Sequence, residues 1–146
     1  MEMPIPDAAV IARREEIAAA LRRLVPGDGA VVVSAPERRA YESDGLTAYR
    51  QPPLVVVLPE TVAEVSAVLR YCHAEGIKVV PRGAGTSLSG GALPLADGVL
   101  LGMGKFNRVL EIDYANRCVT VQPAASTAWL TPRLVTPGCT VTQRLA

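Results

Sequence analysis

The chain has few aromatic residues, little net charge and a single histidine. Aromatic side chains make up 4% of its 146 residues, and the formal net charge is +1. Basic and acidic residues are interspersed, so the sequence has no basic stripe of the kind that binds nucleic acid. A metal site would call for more histidines than His73 alone, and we expect His73 on a solvated helix face.

Long apolar runs and paired cysteine motifs are also absent. No stretch of about 18 apolar residues occurs, so no membrane span is expected. The first four residues, Met-Glu-Met-Pro, lack the basic-then-apolar order of a secretory signal. Cys72, Cys118 and Cys139 are odd in number and widely spaced, which predicts reduced thiols in a cytoplasmic protein.

Glycine is concentrated in one segment, residues 81–91, which follows the apolar run 77–80. Residues 83–91 contain four glycines and three hydroxyl side chains within nine residues. Glycines allow positive φ, successive free backbone N–H groups bind anions, and hydroxyls add donors. The pattern favours a phosphate or pyrophosphate ligand. From spacing alone, an ordinary glycine-rich surface turn is the alternative.

Two common phosphate-binding loops do not match this segment. A P-loop requires Lys followed by Ser or Thr after its last glycine, whereas Gly91 is followed by Ala92 and Leu93. The dinucleotide fingerprint requires a third glycine three residues after Gly85, opening a helix. Position 88 is leucine. Nucleoside triphosphate chemistry and Rossmann-type NAD binding are therefore both disfavoured.

The segment resembles the pyrophosphate loop of the FAD-binding domain of vanillyl-alcohol oxidase-type (PCMH-type) flavoproteins. The most similar branch contains the glycolate oxidase FAD subunit and the D-lactate dehydrogenases. The resemblance extends over residues 41–50, 53–68 and 103–123. It implies that the loop holds the FAD pyrophosphate and that Pro59 lies near the adenosine half. The implied loop residues are Pro81, Arg82, Gly83, Ala84, Gly85, Thr86, Ser87, Leu88 and Gly90.

The resemblance also implies an activity, the oxidation of a small 2-hydroxy acid such as glycolate or D-lactate with hydride transfer to FAD. Other oxidase subunits are possible partners. No histidine occurs in residues 81–91, so non-covalent FAD is expected. The substrate domain of full-length relatives lies beyond position 146. No catalytic residue is therefore named, and the chain is expected to be inactive alone. The alternatives are another FAD-linked oxidase substrate, or a non-catalytic remnant or interaction module that does not bind FAD.

Hydrophobic periodicity and turn signals predict the secondary structure. The expected helices are 7–24 with Asp7 as N-cap, a turn at 36–41, and one opened by a Thr61–Glu64 capping box and ended by Gly76. The face of this last helix should carry Val62, Val65, Leu69 and Cys72. Extended segments are expected at 30–33, 54–58, 77–80, 98–101, 108–112 and 118–121, the last two as an antiparallel pair.

The predicted fold class is α+β, with a small parallel β-α-β unit followed by an antiparallel sheet. By resemblance, this is the N-terminal part of a PCMH-type FAD-binding domain. We expect a helical lead-in at 1–50, a partial FAD-binding domain at 51–123 and an atypical tail at 124–146. The resemblance weakens after Pro123, and a reading-frame shift near Ala124 is one hypothesis for this, which sequencing the gene would test.

Overall fold

The structure, a computed structural model, describes residues 3–116 and 118–125. The chain divides into two compact units, the first ending at Met103 and the second beginning at Gly104. The helices of the described part are α1 (Ala8–Ala12), α2 (Arg14–Leu24), α3 (Ala35–Arg39) and α4 (Val62–Ala74). Its strands are β1 (Val31–Val32), β2 (Val55–Val57), β3 (Lys78–Arg82), β4 (Gly98–Gly102), β5 (Val109–Asp113) and β6 (Cys118–Val121).

The first unit contains a four-stranded sheet in the order β1-β2-β4-β3. Strand β1 runs antiparallel to β2, whereas β2, β4 and β3 are mutually parallel. The parallel β-α-β unit is confirmed, but β2 and β3 are not neighbours. Strand β4 lies between them, and its Leu100 pairs with Val56 on one side and Val80 on the other.

The central strands are buried on both faces, as the continuous apolar run 54–58 predicts. Every residue of β2 and of β4 is buried. One face packs under α2 and α4, with Ile17 and Leu21 of α2 fully buried. The other face buries Val56, Val80 and Leu100. Each such side chain contributes about 1.5–3 kcal/mol relative to exposure, so these strands form a rigid support for the loops that follow them.

Helix α4 begins and ends at the expected signals. The Thr61 Oγ1 accepts from the Glu64 amide at 3.2 Å, and the Glu64 carboxylate accepts from the Thr61 amide at 3.2 Å. Gly76 follows the helix with a φ of +66°. The predicted apolar face is partly wrong, because Val62 and Leu69 are 74% and 44% exposed. The helix instead buries Val68 and Cys72 against the sheet.

The predicted helix 7–24 is interrupted at Arg13, where α1 ends and α2 begins. The Asp7 carboxylate caps α1 by accepting from the Ala9 amide at 2.8 Å. The Asp7 amide in turn donates to the buried carboxylate of Asp97 at 2.8 Å. Asp97 also accepts from Lys78 Nζ at 2.6 Å, so one buried carboxylate ties the start of α1 to β3. The expected short elements at 30–33 and 36–41 appear as β1 and α3.

The second unit contains the antiparallel pair β5–β6, as predicted. A register shift lies between Val109 and Glu111, and Val119 and Val121 are buried. Residues 126–146, which hold most of the expected tail and Cys139, lie outside the described residues. Cys72 and Cys118 are free thiols. Among the residues described, no helix combines the length and hydrophobicity that crossing a bilayer requires.

Candidate functional site

The glycine-rich loop leaves the carboxyl edge of the parallel sheet. It begins directly after β3, and Pro59 lies just beyond β2 at the same edge. Because β4 separates the two strands, Pro59 and the start of the loop lie two strand spacings apart, about 10 Å. Open parallel sheets bind their ligands at this edge. The structure therefore brings together the two places where the sequence predicts FAD contacts.

The predicted loop is shorter than expected at its start. Pro81 and Arg82 are the last residues of β3, paired with Leu101 and Gly102 of β4. The hydrophobic run ends at Val80, but the backbone pairing continues for two residues because β4 extends alongside as far as Gly102. The irregular part therefore begins at Gly83.

The backbone amides of the loop are available for a ligand. Gly85 and Gly90 adopt positive φ, +74° and +76°. Within the part of the chain that the structure describes, the amides from Ala84 to Leu88 donate to no protein acceptor. Most of these residues are exposed. Successive free N–H groups beside a glycine in left-handed conformation are the donor set that binds phosphate oxygens.

Short contacts fix the far side of the loop. The Ser87 Oγ accepts from the Ser89 amide at 3.4 Å, and the Gly90 carbonyl accepts from the Leu93 amide at 3.2 Å. Leu88, between them, is 72% exposed. The hydroxyl of Thr86 lies on an exposed residue. These hydrogen bonds hold the end of the loop in shape, and their donors are not the amides of Ala84 to Leu88.

The side chain of Arg82 is directed to protein groups. Its Nη1 donates to the carbonyls of Ser43 and Tyr41, at 2.7 and 3.2 Å. Its guanidinium carbon lies 5.9 Å from the centre of the Tyr41 ring. A Cβ built on Gly85 would collide with this guanidinium, so Arg82 lies directly against the loop. Its assignment to the cofactor site stays a prediction.

Sequence reasoning missed the role of Gly45, which lies about 40 positions before the loop and contacts it. A Cβ on Gly45 would lie 2.8 Å from the Thr86 carbonyl oxygen and 2.9 Å from that of Ser87. The sequence offers one signal, the pair Asp44-Gly45, which is typical of a turn. Nothing local to that pair indicates what the turn contacts.

The chemistry of the site is that of binding. Residues 83–91 include no titratable side chain, so the loop can donate hydrogen bonds but cannot transfer protons. No group of three or more potential metal ligands occurs among the described residues. The thiol of Cys72, whose pKa burial raises to about 11, lies outside the loop, on helix α4. A free-amide loop at the edge of a parallel sheet suits a phosphate-bearing cofactor.

Comparison with known proteins identifies the family. A profile described as "FAD binding domain" matches residues 53–142, and the chain belongs to this family. FAD is therefore its cofactor, and the donor set of the loop fits the pyrophosphate of that molecule. The matched range extends past Pro123 to residue 142.

Curated relatives point to one branch of flavoenzymes. The chain is 49% identical over 110 residues to "Glycolate oxidase subunit GlcD" of Escherichia coli (strain K12), covering 75% of this chain and 22% of that protein. It is 36% identical over 104 residues to "Probable D-lactate dehydrogenase, mitochondrial" of Danio rerio, covering 71% of this chain and 21% of that protein. The chain thus spans about a fifth of the length of the relatives it matches.

Solved structures establish the fold. p-Cresol methylhydroxylase with substrate bound aligns with a TM-score of 0.73 at 22% identity, over 90% of this chain and 26% of that chain. The 4-ethylphenol oxidase from Gulosibacter chungangensis aligns with a TM-score of 0.73 at 23% identity, over 94% of this chain and 27% of that chain. The predicted PCMH-type α+β fold is confirmed.

Proposed function

We propose that this chain binds FAD non-covalently, with residues 83–91 around the pyrophosphate and Pro59 near the adenosine half. It does so as part of a flavin-linked oxidoreductase for a small 2-hydroxy acid, glycolate or D-lactate. The observation that carries the proposal is the set of amides from Ala84 to Leu88, which have no acceptor within the described chain. These amides lie at the carboxyl edge of a parallel sheet.

The physical argument rests on hydrogen bonding to a charged group. Each backbone N–H that donates to a phosphate oxygen contributes about 1.5–3 kcal/mol, more than a neutral pair does. Gly85, with its positive φ, allows successive amides to converge on one anion. The spacing of about 10 Å between the loop and Pro59 suits an extended ligand such as a dinucleotide.

The names of the relatives support the substrate class. One relative is named a glycolate oxidase subunit and another a probable D-lactate dehydrogenase, so the proposed substrate is a small 2-hydroxy acid. Bound FAD supplies the hydride acceptor for such a reaction. The residues of this chain hold and orient the cofactor. The proton acceptor lies outside residues 83–91, because those residues have no titratable side chain.

Two further parts of the proposal concern partners and location. The word "subunit" in the name of the GlcD relatives supports other oxidase subunits as partners. The odd number and wide spacing of Cys72, Cys118 and Cys139 support the reducing environment of the cytoplasm. The proposed domain of residues 51–123, with its lead-in and tail, begins close to the family match, which starts at residue 53 but continues to residue 142.

Titration calorimetry with FAD tests the proposal on the 146-residue chain. We expect saturable binding at one site per chain, competition by ADP, and no turnover of glycolate or D-lactate. Thr86→Ala removes one exposed hydroxyl donor and should weaken FAD binding several-fold, about 1 kcal/mol. Ser66→Ala, which removes an exposed hydroxyl from α4, is the matched control and should bind like the parent chain. A protein that takes up no FAD would favour the non-catalytic remnant instead.

A further inference from the structure

A short segment that precedes the matched family region packs against the glycine loop. Residues 41–46, here called the brace, end seven positions before the match begins at residue 53. The Leu46 amide donates to the Ser87 carbonyl at 3.2 Å. Gly45 lies so close to the carbonyl oxygens of Thr86 and Ser87 that a Cβ there would overlap both.

The brace is itself held in a fixed conformation. Asp44 is 5% exposed, and its Oδ1 accepts from the Leu46 amide at 2.9 Å, closing a tight Asx turn around Gly45. Arg82 donates to the carbonyls of Tyr41 and Ser43. The brace is therefore fastened at its beginning by Arg82 and at its end by the turn.

The planarity of the peptide bond connects these contacts to the ligand. In a trans peptide, the carbonyl of one residue and the N–H of the next point in opposite directions. The carbonyls of Thr86 and Ser87 face Gly45 and Leu46, so the amides of Ser87 and Leu88 point away from the brace. Those two amides belong to the set from Ala84 to Leu88, which has no acceptor among the residues that the structure describes.

We propose that the brace is part of the FAD site and that Arg82 is a positioning residue, which acts by holding the brace against the loop. The brace holds the carbonyls of Thr86 and Ser87 toward itself, and this orients the amides of Ser87 and Leu88 toward the pyrophosphate. The inference rests on the proposed function, because it assigns these amides to FAD.

Two substitutions separate this role from direct phosphate contact. Gly45→Ala places a methyl group against the backbone of Thr86 and should raise the FAD Kd about tenfold or more. Gly104→Ala, where a Cβ would meet nothing within 4 Å, is its control. Arg82→Lys keeps the charge but replaces the planar guanidinium, whose Nη1 donates to two carbonyls, with a compact ammonium, so it should also raise the Kd about tenfold. Exposed Arg70→Lys on α4 is the matched control.

The dependence of FAD binding on salt concentration distinguishes a phosphate contact of Arg82 from a positioning role. Arg82→Gln should weaken FAD binding without changing the slope of log Kd against log salt concentration. A direct contact between Arg82 and phosphate would give a shallower slope, because the variant would lack one ion pair that salt screens, and this would overturn the positioning role. Hydrogen exchange in the absence of FAD should show faster exchange of the Leu46 amide in Arg82→Lys than in the parent.

The outcomes distinguish the inference from the proposed function. A parent chain that takes up no FAD contradicts the proposed function, and the inference falls with it. A parent that binds FAD, with a parental Kd in both Gly45→Ala and Arg82→Lys, overturns the inference alone. If Gly45→Ala fails to fold by circular dichroism, the Kd of Arg82→Lys decides.

Discussion

Replacing Gly85 by alanine should destabilise the protein by two separable effects. Gly85 has a φ of +74°, and an L-residue in that conformation costs about 1–2 kcal/mol. Its new Cβ would also displace the Arg82 guanidinium, which then loses its hydrogen bonds to Tyr41 and Ser43. Bonds from a charged donor contribute about 1.5–3 kcal/mol each, and water replaces part of this at a half-buried group. The expected total is about 3–5 kcal/mol.

Gly76→Ala isolates the backbone effect. Gly76 has nearly the same φ, +66°, but a Cβ there would meet nothing within 4 Å. It should therefore cost only about 1–2 kcal/mol. Urea unfolding followed by circular dichroism measures both free energies of unfolding, compared at equal m-values.

The difference between the two variants measures the contact between Gly85 and Arg82. A value near 2 kcal/mol or more supports the structure of the loop described above. Equal destabilisation by Gly85→Ala and Gly76→Ala would refute the reasoning, because it would mean that Arg82 moves aside freely. In that case the hydrogen bonds of Arg82 would not fasten the brace.

Three further predictions concern the scaffold. Asp97→Asn should lower stability at neutral pH: burial by itself raises the pKa of Asp97, but the hydrogen bonds from Lys78 and the Asp7 amide lower it overall. A lowered pKa stabilises the fold at pH values above the ordinary aspartate pKa of about 3.9. The difference in free energy of unfolding between parent and variant, measured with urea, should therefore close as the pH falls below that value. A difference that stays constant with pH would contradict this. Thr61→Ala should cost about 1 kcal/mol by removing the cap of α4, and no change in thermal unfolding would refute it. The Cys72 thiol, whose pKa burial raises to about 11, should resist alkylation in the native protein while exposed Cys118 reacts, as peptide mass spectrometry would show; equal labelling would contradict it.

Local signals in the sequence predicted most of the secondary structure. The capping box at Thr61, the Asp7 cap and the Gly76 terminator each act within four residues, so their partners can be identified from the sequence. The hairpin β5–β6 is similarly local. Such elements require no knowledge of the rest of the chain.

Non-local choices could not be predicted in the same way. The buried side of α4 depends on where the helix docks, and both Val62 and Val68 are compatible with a buried position. The sheet buries Val68 and leaves Val62 exposed. The position of β4 between β2 and β3 likewise follows from pairing on both sides by Leu100. Strand order is not encoded in any one segment.

The candidate site shows the same division. The glycines and hydroxyls of residues 83–91 predict an anion-binding loop because each effect is local to the backbone. The brace lies about 40 positions earlier, and its Asp44 and Gly45 carry no indication that this segment contacts the loop. The direction of the Arg82 side chain is also a tertiary property, since the carbonyls it reaches belong to Tyr41 and Ser43.

The strand that leads into the loop also protects the sheet from pairing with other molecules. Among the described strands, β3 lies at the outer edge of its sheet and pairs with β4 alone. Because the Arg82 carbonyl faces β4, where it accepts from the Met103 amide, alternation along the strand turns the backbone of Val79 and Pro81 outward. Proline has no backbone N–H, so across its five residues the outer edge of β3 presents one outward-facing N–H, that of Val79. Pro81 therefore lies two residues before the glycine-rich loop and also makes the addition of a strand from another polypeptide at this edge unfavourable.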